Sequence, residues 1–266
     1  MIRKHELSTD IGVRKDLAGG VRSYEPGRCL SACATAYLGG RFRFLKQGSR
    51  YGIHRFYFAS GGDVDVAQLL SAALVSYFRE MDVDTELFTL STTAGRDEIL
   101  LLPRSKLKEL KVVNDGFAEP KWTVESKSGL VYLKGERDTF YGINKFIMHC
   151  GRGNASLHII FDPQGREQEV MDLRAHSLMI NGTPVPVTPA GTQIQNGWFN
   201  AIYPLSDPQV SAIRTATTLG VTVRGTYEAP IFLGFDRMEF GDGAEKLNGL
   251  LKNCGYDGAA RRSGRP

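Results

Sequence analysis

The stretch "GRCLSACATAYLGG", residues 27–40, decides how the first half of the chain is read. Two cysteines flank one serine, a short run of small and apolar residues follows, and Gly39 and Gly40 close it. That run predicts a short helix stopped by the glycines, with Ser31 at its start. A serine there has two uses. It can cap the helix, its side-chain oxygen accepting a hydrogen bond from an orphan backbone N–H. It can also react, because a nucleophile at a helix start lies beside N–H groups that would stabilise an oxyanion. Ala32 and Ala34 favour the second use, since small neighbours leave room for a substrate carbonyl.

Working outward, "ELSTDIGV" reads as a strand or edge segment, and "RFRFL" and "RYGIHRFYF" as strands of alternating or aromatic character. Val66, Leu69, Leu70, Ala73, Leu74, Tyr77, Phe78 and Met81 recur at helical spacing, an amphipathic helix with Asp63 or Asp65 as its N-cap. A helix "DTELFTLST", a loop "AGRDE", an apolar "ILLLP", a helix "RSKLKELK" and a strand "VVND" follow. Helices alternating with short strands predict an α/β layer with a mainly parallel sheet.

From "AEPKW" onward the texture changes to short segments separated by Gly, Pro, Asn and Asp, the pattern of antiparallel β structure. "INGTPVPV" predicts a hairpin or edge, because Pro184, Pro186 and Pro189 bar a central strand. Trp122, Trp198, Phe199, Tyr203, Tyr227, Phe232 and Phe235 are the expected core of a sandwich or barrel. "GDGAEKLNGLLKNC" predicts a helix with Leu247, Leu250 and Leu251 on one face. The expected organisation is an α/β domain over residues 1–117, a mainly antiparallel β domain over 118–256 and a disordered tail over 257–266.

The composition limits the functions open to it. Of 266 residues, 33 are basic and 29 acidic, a net charge of +4 that lies partly in the last residues "RRSGRP"; this is weak grounds for a nucleic-acid partner, and none is expected. No run approaches the ~18 apolar residues of a membrane span. "MIRKHELSTDIGVRKD" lacks the apolar core of a secretory signal, so by its start alone the chain reads as cytoplasmic. The four cysteines argue for an oxidising compartment. Cys150 and Cys254, at the two ends of the second domain, are the better disulfide candidates. Cys29 and Cys33 are read either as a bridge across the serine turn or as two buried thiols, and make a poor zinc site without a second ligand pair. "GGDVD" at 61–65 lacks the ligands of a calcium loop, "GRGN" at 151–154 reads as a turn, and no phosphate- or dinucleotide-binding glycine pattern is present, so no metal or cofactor is expected.

A nucleophilic serine needs a base, and the histidines are His5, His54, His149, His158 and His176. His54 lies in the same α/β segment as Ser31, at the end of the predicted strand "RYGIHRFYF", and the loop acid Asp97, with Glu98 beside it, could orient the imidazole. On the text "CLSACATAYLGGRFRFLKQGSRYGIHRFY" and "RDEILLLPRSKLKELKVVND", residues 1–116 resemble the ClpP-like serine peptidases of the crotonase superfamily. More closely they resemble a bacterial group predicted to be periplasmic, in which "C-x-S-A-C-A" and "G-[VI]-H-R-F-Y" recur. The resemblance implies a ClpP/crotonase-like fold and a serine hydrolase acting on a peptide or acyl substrate. It assigns Ser31 as nucleophile, His54 as general base, Asp97 as orienting acid and the Ala32 N–H as part of the oxyanion hole. It also implies a periplasmic or envelope location and leaves a homo-oligomer open. The spacing of "RDE" to "LLP" departs from the peptidase pattern and admits Asp97 or Glu98. Against such folds "MIRKHELSTDIGV" reads as the end of the first helix running into the second strand, with no first apolar strand or Gly-Gly turn before it and "AGGV" at 18–21 falling after that helix, so a truncated or late start is expected. Two rivals stand beside the hydrolase: a non-catalytic envelope binding or assembly module that uses the β domain, and thiol redox through Cys29 and Cys33.

Overall fold

The computed structural model describes residues 2–16, 22–56, 64–95, 97–151 and 154–256. The "AGGV" glycines, Asp63, the first residues of "GGDVD", the centre of "GRGN" and the tail beyond 256 lie outside the described residues. The chain forms two compact units, residues 1–118 and 119–266.

In the first unit a 3₁₀ turn at Arg3–His5 precedes β1 (Thr9–Ile11), β2 (Val13–Asp16), β3 (Arg22–Glu25), β4 (Arg28–Leu30) and α1 (Ala32–Leu38). There follow β5 (Arg43–Leu45), β6 (Arg50–Ile53), α2 (Val64–Glu80), α3 (Glu86–Thr93), β7 (Leu100–Leu101) and α4 (Arg104–Glu109). The class is α/β, but the sheet is not mainly parallel. β1 pairs with β5 and β4 with β6 in parallel, whereas β2 with β3 and β6 with β7 are antiparallel. Strands of two to four residues give separate small sheets rather than one continuous layer.

"VVND" is not a strand. The N–H groups of Val112 and Val113 turn back to Leu107 O, and those of Asn114 and Asp115 reach Arg43 O. The two valines are buried by this turn without any ladder. α2 forms as its periodicity predicts, with Asp65 inside its first turn and not at the cap. Its apolar face is covered only toward the C-terminal end, where Phe78 is buried and Leu74 and Tyr77 pack against the core; Val66, Leu69 and Leu70 are exposed.

Arg43 is the residue of this unit that the strand pattern of "RFRFL" misreads. It is 2% exposed, and its guanidinium donates to the carbonyls of Val112, Leu38, Gly40, Met81 and Lys111. One side chain thus ties the end of α1, the end of α2 and the turn after α4 to β5. Burial lowers its pKa to about 10.

The second unit runs β8 (Lys121–Lys127), β9 (Leu130–Thr139), β10 (Gly142–Gly151), β11 (Asn154–Phe161), α5 (Glu167–Asp172), β12 (Ala175–Ile180) and β13 (Thr183–Val187). β14 (Gly191–Gln195), β15 (Trp198–Pro204), α6 (Asp207–Arg214), β16 (Thr218–Arg224), β17 (Leu233–Glu239) and α7 (Gly243–Asn253) complete it. All its pairings are antiparallel, in a six-stranded sheet ordered β14-β15-β11-β10-β9-β8 and a four-stranded sheet ordered β13-β12-β16-β17. The proline-rich β13 is an edge, as its missing N–H donors require.

Inward residues alternate cleanly along β9 and β10. The two sheets share one core, in which Phe146 of one meets Phe235 of the other at 4.9 Å between ring centroids. Trp122 is seated by two glycines, since a Cβ at Gly135 or Gly243 would lie 2.4 or 2.3 Å from its ring. Its Nε1 donates to Glu239 O at 2.9 Å. Phe199, Tyr203 and Phe235 join the core as expected, and α7 buries Leu247, Leu250 and Leu251. Trp198 and Phe232 are only half-buried, and Tyr227 is exposed. Trp198 opens its strand at the sheet end, Phe232 carries the Arg224 guanidinium over its ring, and Tyr227 follows β16 in a turn. Among the described residues no helix is long and apolar enough to cross a membrane.

Candidate active site

The site is assembled by two neighbouring parallel strands. β4 and β6 run in register, Leu30 opposite Gly52, so the residues that leave their C-terminal ends emerge side by side. Ser31 leaves β4 and donates its N–H to Gly52 O at 3.1 Å, while His54 leaves β6. Gly52 leaves room for its neighbours: a Cβ there would stand 2.5 Å from Ile99 Cγ2 and 2.7 Å from Leu30 Cδ2.

Between β4 and α1 the chain reverses in a single residue. Ser31 has φ 59° and ψ −126°, a region that L residues rarely enter and that costs about 1–3 kcal/mol to hold. It makes no side-chain cap hydrogen bond to the helix, so the capping use does not apply. Its Oγ instead lies 2.7 Å from His54 Nε2. A strained serine on a strand-to-helix turn is the arrangement that lifts a nucleophile clear of the backbone.

The other ring nitrogen settles the tautomer. His54 Nδ1 is 2.8 Å from Arg55 O, and a carbonyl oxygen can only accept. The proton of the neutral ring therefore sits on Nδ1, and the Nε2 lone pair faces the serine hydroxyl. This is the orientation a base needs to take the proton from Oγ.

The structure does not bring Asp97 to this pair. Asp97 is exposed, and among the described residues it makes no hydrogen bond to His54. Glu98 closes its own loop, accepting the Gly95 N–H at 3.1 Å. The place a triad's carboxylate would take is held by the Arg55 carbonyl, which no residue pattern announces. Ala32, the first residue of α1, carries one of the leading N–H groups that a helix cannot satisfy itself.

Beside Ser31 and His54 opens a cavity of about 400 Å³, walled by Ile53, Phe56, Leu70, Leu74, Phe78 and Leu87. Among the described residues no Asp, Glu, Lys or Arg lines it. Tyr51 at its base is buried, which pushes its phenol pKa up, and donates to Ala34 O at 3.3 Å.

All four cysteines are paired, Cys29 with Cys33 and Cys150 with Cys254. The first bridge joins β4 to α1 directly across Ser31. Among the described residues no three His, Cys, Asp or Glu side chains converge to hold a metal ion. The remaining histidines lie elsewhere: His158 bonds Asn200 at 3.2 Å and His176 bonds Tyr203 Oη at 2.7 Å inside the second unit, and burial holds both below the ordinary histidine range. No protein-family model matches the chain, and neither curated proteins nor solved structures include a significant match to it.

Proposed function

We propose that the chain is a serine hydrolase that forms an acyl-enzyme on Ser31, with His54 as the general base. The observation that carries the reading is the 2.7 Å contact of Ser31 Oγ with a His54 ring whose tautomer Arg55 O fixes. In this scheme Oγ attacks a carbonyl carbon as its proton passes to His54 Nε2. The Ala32 N–H faces the developing oxyanion, and His54 returns the proton to the leaving group. Water then releases the acyl group by the same route. The apolar cavity suits a substrate, peptide or ester, that presents an uncharged apolar group beside the scissile carbonyl.

The finer fold reading, a ClpP/crotonase-like first unit, belongs to the same proposal. It is supported by a serine and a histidine that leave the C-terminal ends of adjacent parallel strands in that order. A periplasmic or envelope location is supported by the two disulfides, which persist in oxidising compartments.

The test is turnover of a short-chain p-nitrophenyl ester by the oxidised 266-residue chain. Hydrolysis lost in both Ser31→Ala and His54→Ala is expected. Hydrolysis that survives Ser31→Ala in a folded protein overturns the assignment.

A further inference from the structure

We infer that the Cys29–Cys33 bridge positions the nucleophile, so that reduction of this one disulfide switches the hydrolase off while the fold persists. The inference rests on the proposed role of Ser31. Three observations carry it.

The first is placement. The bridge ties the residue two before Ser31 to the residue two after it, closing a small ring with the strained serine at its centre. A residue with φ 59° and ψ −126° keeps that conformation only while its surroundings over-determine it. Here the surroundings are the β4–β6 pairing, the Ser31 N–H bond to Gly52 O, and the bridge. Tyr51 Oη of β6 also holds Ala34 O of α1, and the bridge is the covalent tie across the reversal from strand to helix.

The second is separation of roles. The cysteines do not line the apolar cavity in which the substrate would sit. Opening the bridge leaves the walls on α2 and α3, Leu70, Leu74, Phe78 and Leu87, covalently untouched and releases the turn that holds the Ser31 Oγ opposite His54 Nε2. An ångström of misplacement at a reacting atom costs on the order of 10²-fold in rate.

The third is access. Cys33 is exposed while Cys29 is buried, and both line a second cavity of about 350 Å³, bordered by Gly12, Gly27 and Tyr37. A dithiol entering there can attack Cys33 Sγ. The S–S bond breaks, Cys29 sulfur takes the electron pair and a proton, and the second thiol of the reagent displaces Cys33. The reagent ends as its cyclic disulfide and the bridge as two thiols, a two-electron exchange. The positioning residues are thus Cys29 and Cys33, and the regulator has the chemistry of a dithiol reductant.

The experiment follows inactivation of the full chain by a fluorophosphonate during timed exposure to dithiothreitol. Alkylation and mass spectrometry report which bridge is open, and far-UV circular dichroism reports the fold. The expected result is a fall of about tenfold or more in the limiting inactivation rate that tracks opening of Cys29–Cys33, with the reagent's half-saturating concentration and the far-UV signal unchanged. Reoxidation restores the rate. A Cys29→Ala/Cys33→Ala chain is expected to react slowly and ignore dithiothreitol. Equal rates with this bridge open and closed overturn the inference and leave the hydrolase reading intact. Loss of the far-UV signal together with reactivity also overturns it, since the bridge would then be a staple of the fold. No labelling of Ser31 in the oxidised chain overturns the hydrolase reading itself.

Discussion

The two disulfides close rings of very different size. Cys150–Cys254 joins residues 104 apart, binding β10 to the end of α7, whereas Cys29–Cys33 joins residues four apart around Ser31. In the chain-entropy treatment the long ring contributes about 4–5 kcal/mol of stability and the short one about 2 kcal/mol. The units that hold them differ in the same sense. The second has strands of up to ten residues, clean alternation and one continuous core, and is built to stay folded. The first has strands of two to four residues, a serine in a strained conformation and a helix whose apolar face is half uncovered. Long-range cross-linking thus goes with stability, and short-range cross-linking with the placing of one side chain.

The largest effect expected on this contrast is chemical. Ser31→Ala and His54→Ala should each lower ester turnover by about 10⁴-fold or more, measured on folded protein, because a nucleophile and its base act as one unit. Breaking the long ring should do the opposite. Cys150→Ser/Cys254→Ser is expected to lose about 4–5 kcal/mol in denaturant unfolding of the second unit while Ser31 stays reactive. Arg43→Met should destabilise the first unit by about 3 kcal/mol, since it leaves several buried carbonyls without a donor, and its unfolding midpoint in urea reads this out.

A subtler probe exchanges activity for stability. Ser31→Gly should be inactive yet more stable than Ser31→Ala by about 1 kcal/mol, because glycine accepts φ 59° without strain. Acid should act on the other unit. Burial favours the neutral forms of His158 and His176, so the unfolded chain takes up protons first as pH falls below about 6.5. Stability of the second unit should therefore be full above that pH and decline below it, by a few degrees in Tm, and substitution of His176 by Asn should flatten the decline. The smallest effect is expected from Asp97→Asn, less than about twofold in turnover, where a true triad acid would cost about 10⁴-fold.

Much of this was legible in the residues. Small residues and glycines after Ser31 mark a short helix that starts there, and His54 falls at the end of an aromatic strand in the same segment, whereas the strand β4 before the serine carries no such mark. Prolines and turn residues marked the antiparallel unit and its β13 edge. What stayed hidden was hidden for physical reasons. The partner of His54 Nδ1 is a backbone carbonyl, which every residue carries, so no side-chain pattern marks it and the expected carboxylate, Asp97, is not that partner. Arg43 sits in an alternating strand pattern that gives no sign of five converging carbonyls. Val112 and Val113 are apolar enough for a strand, but their amides bond within their own turn.

The central claim is that Ser31 is an activated nucleophile, and mapping a fluorophosphonate adduct tests it most directly. The oxidised chain is incubated with the probe and digested, and its peptides are sequenced by mass spectrometry. The account predicts a single adduct on Ser31, abolished by Ser31→Ala and strongly slowed by His54→Ala. A folded, oxidised chain that takes up no probe, or takes it up at another residue, would contradict it.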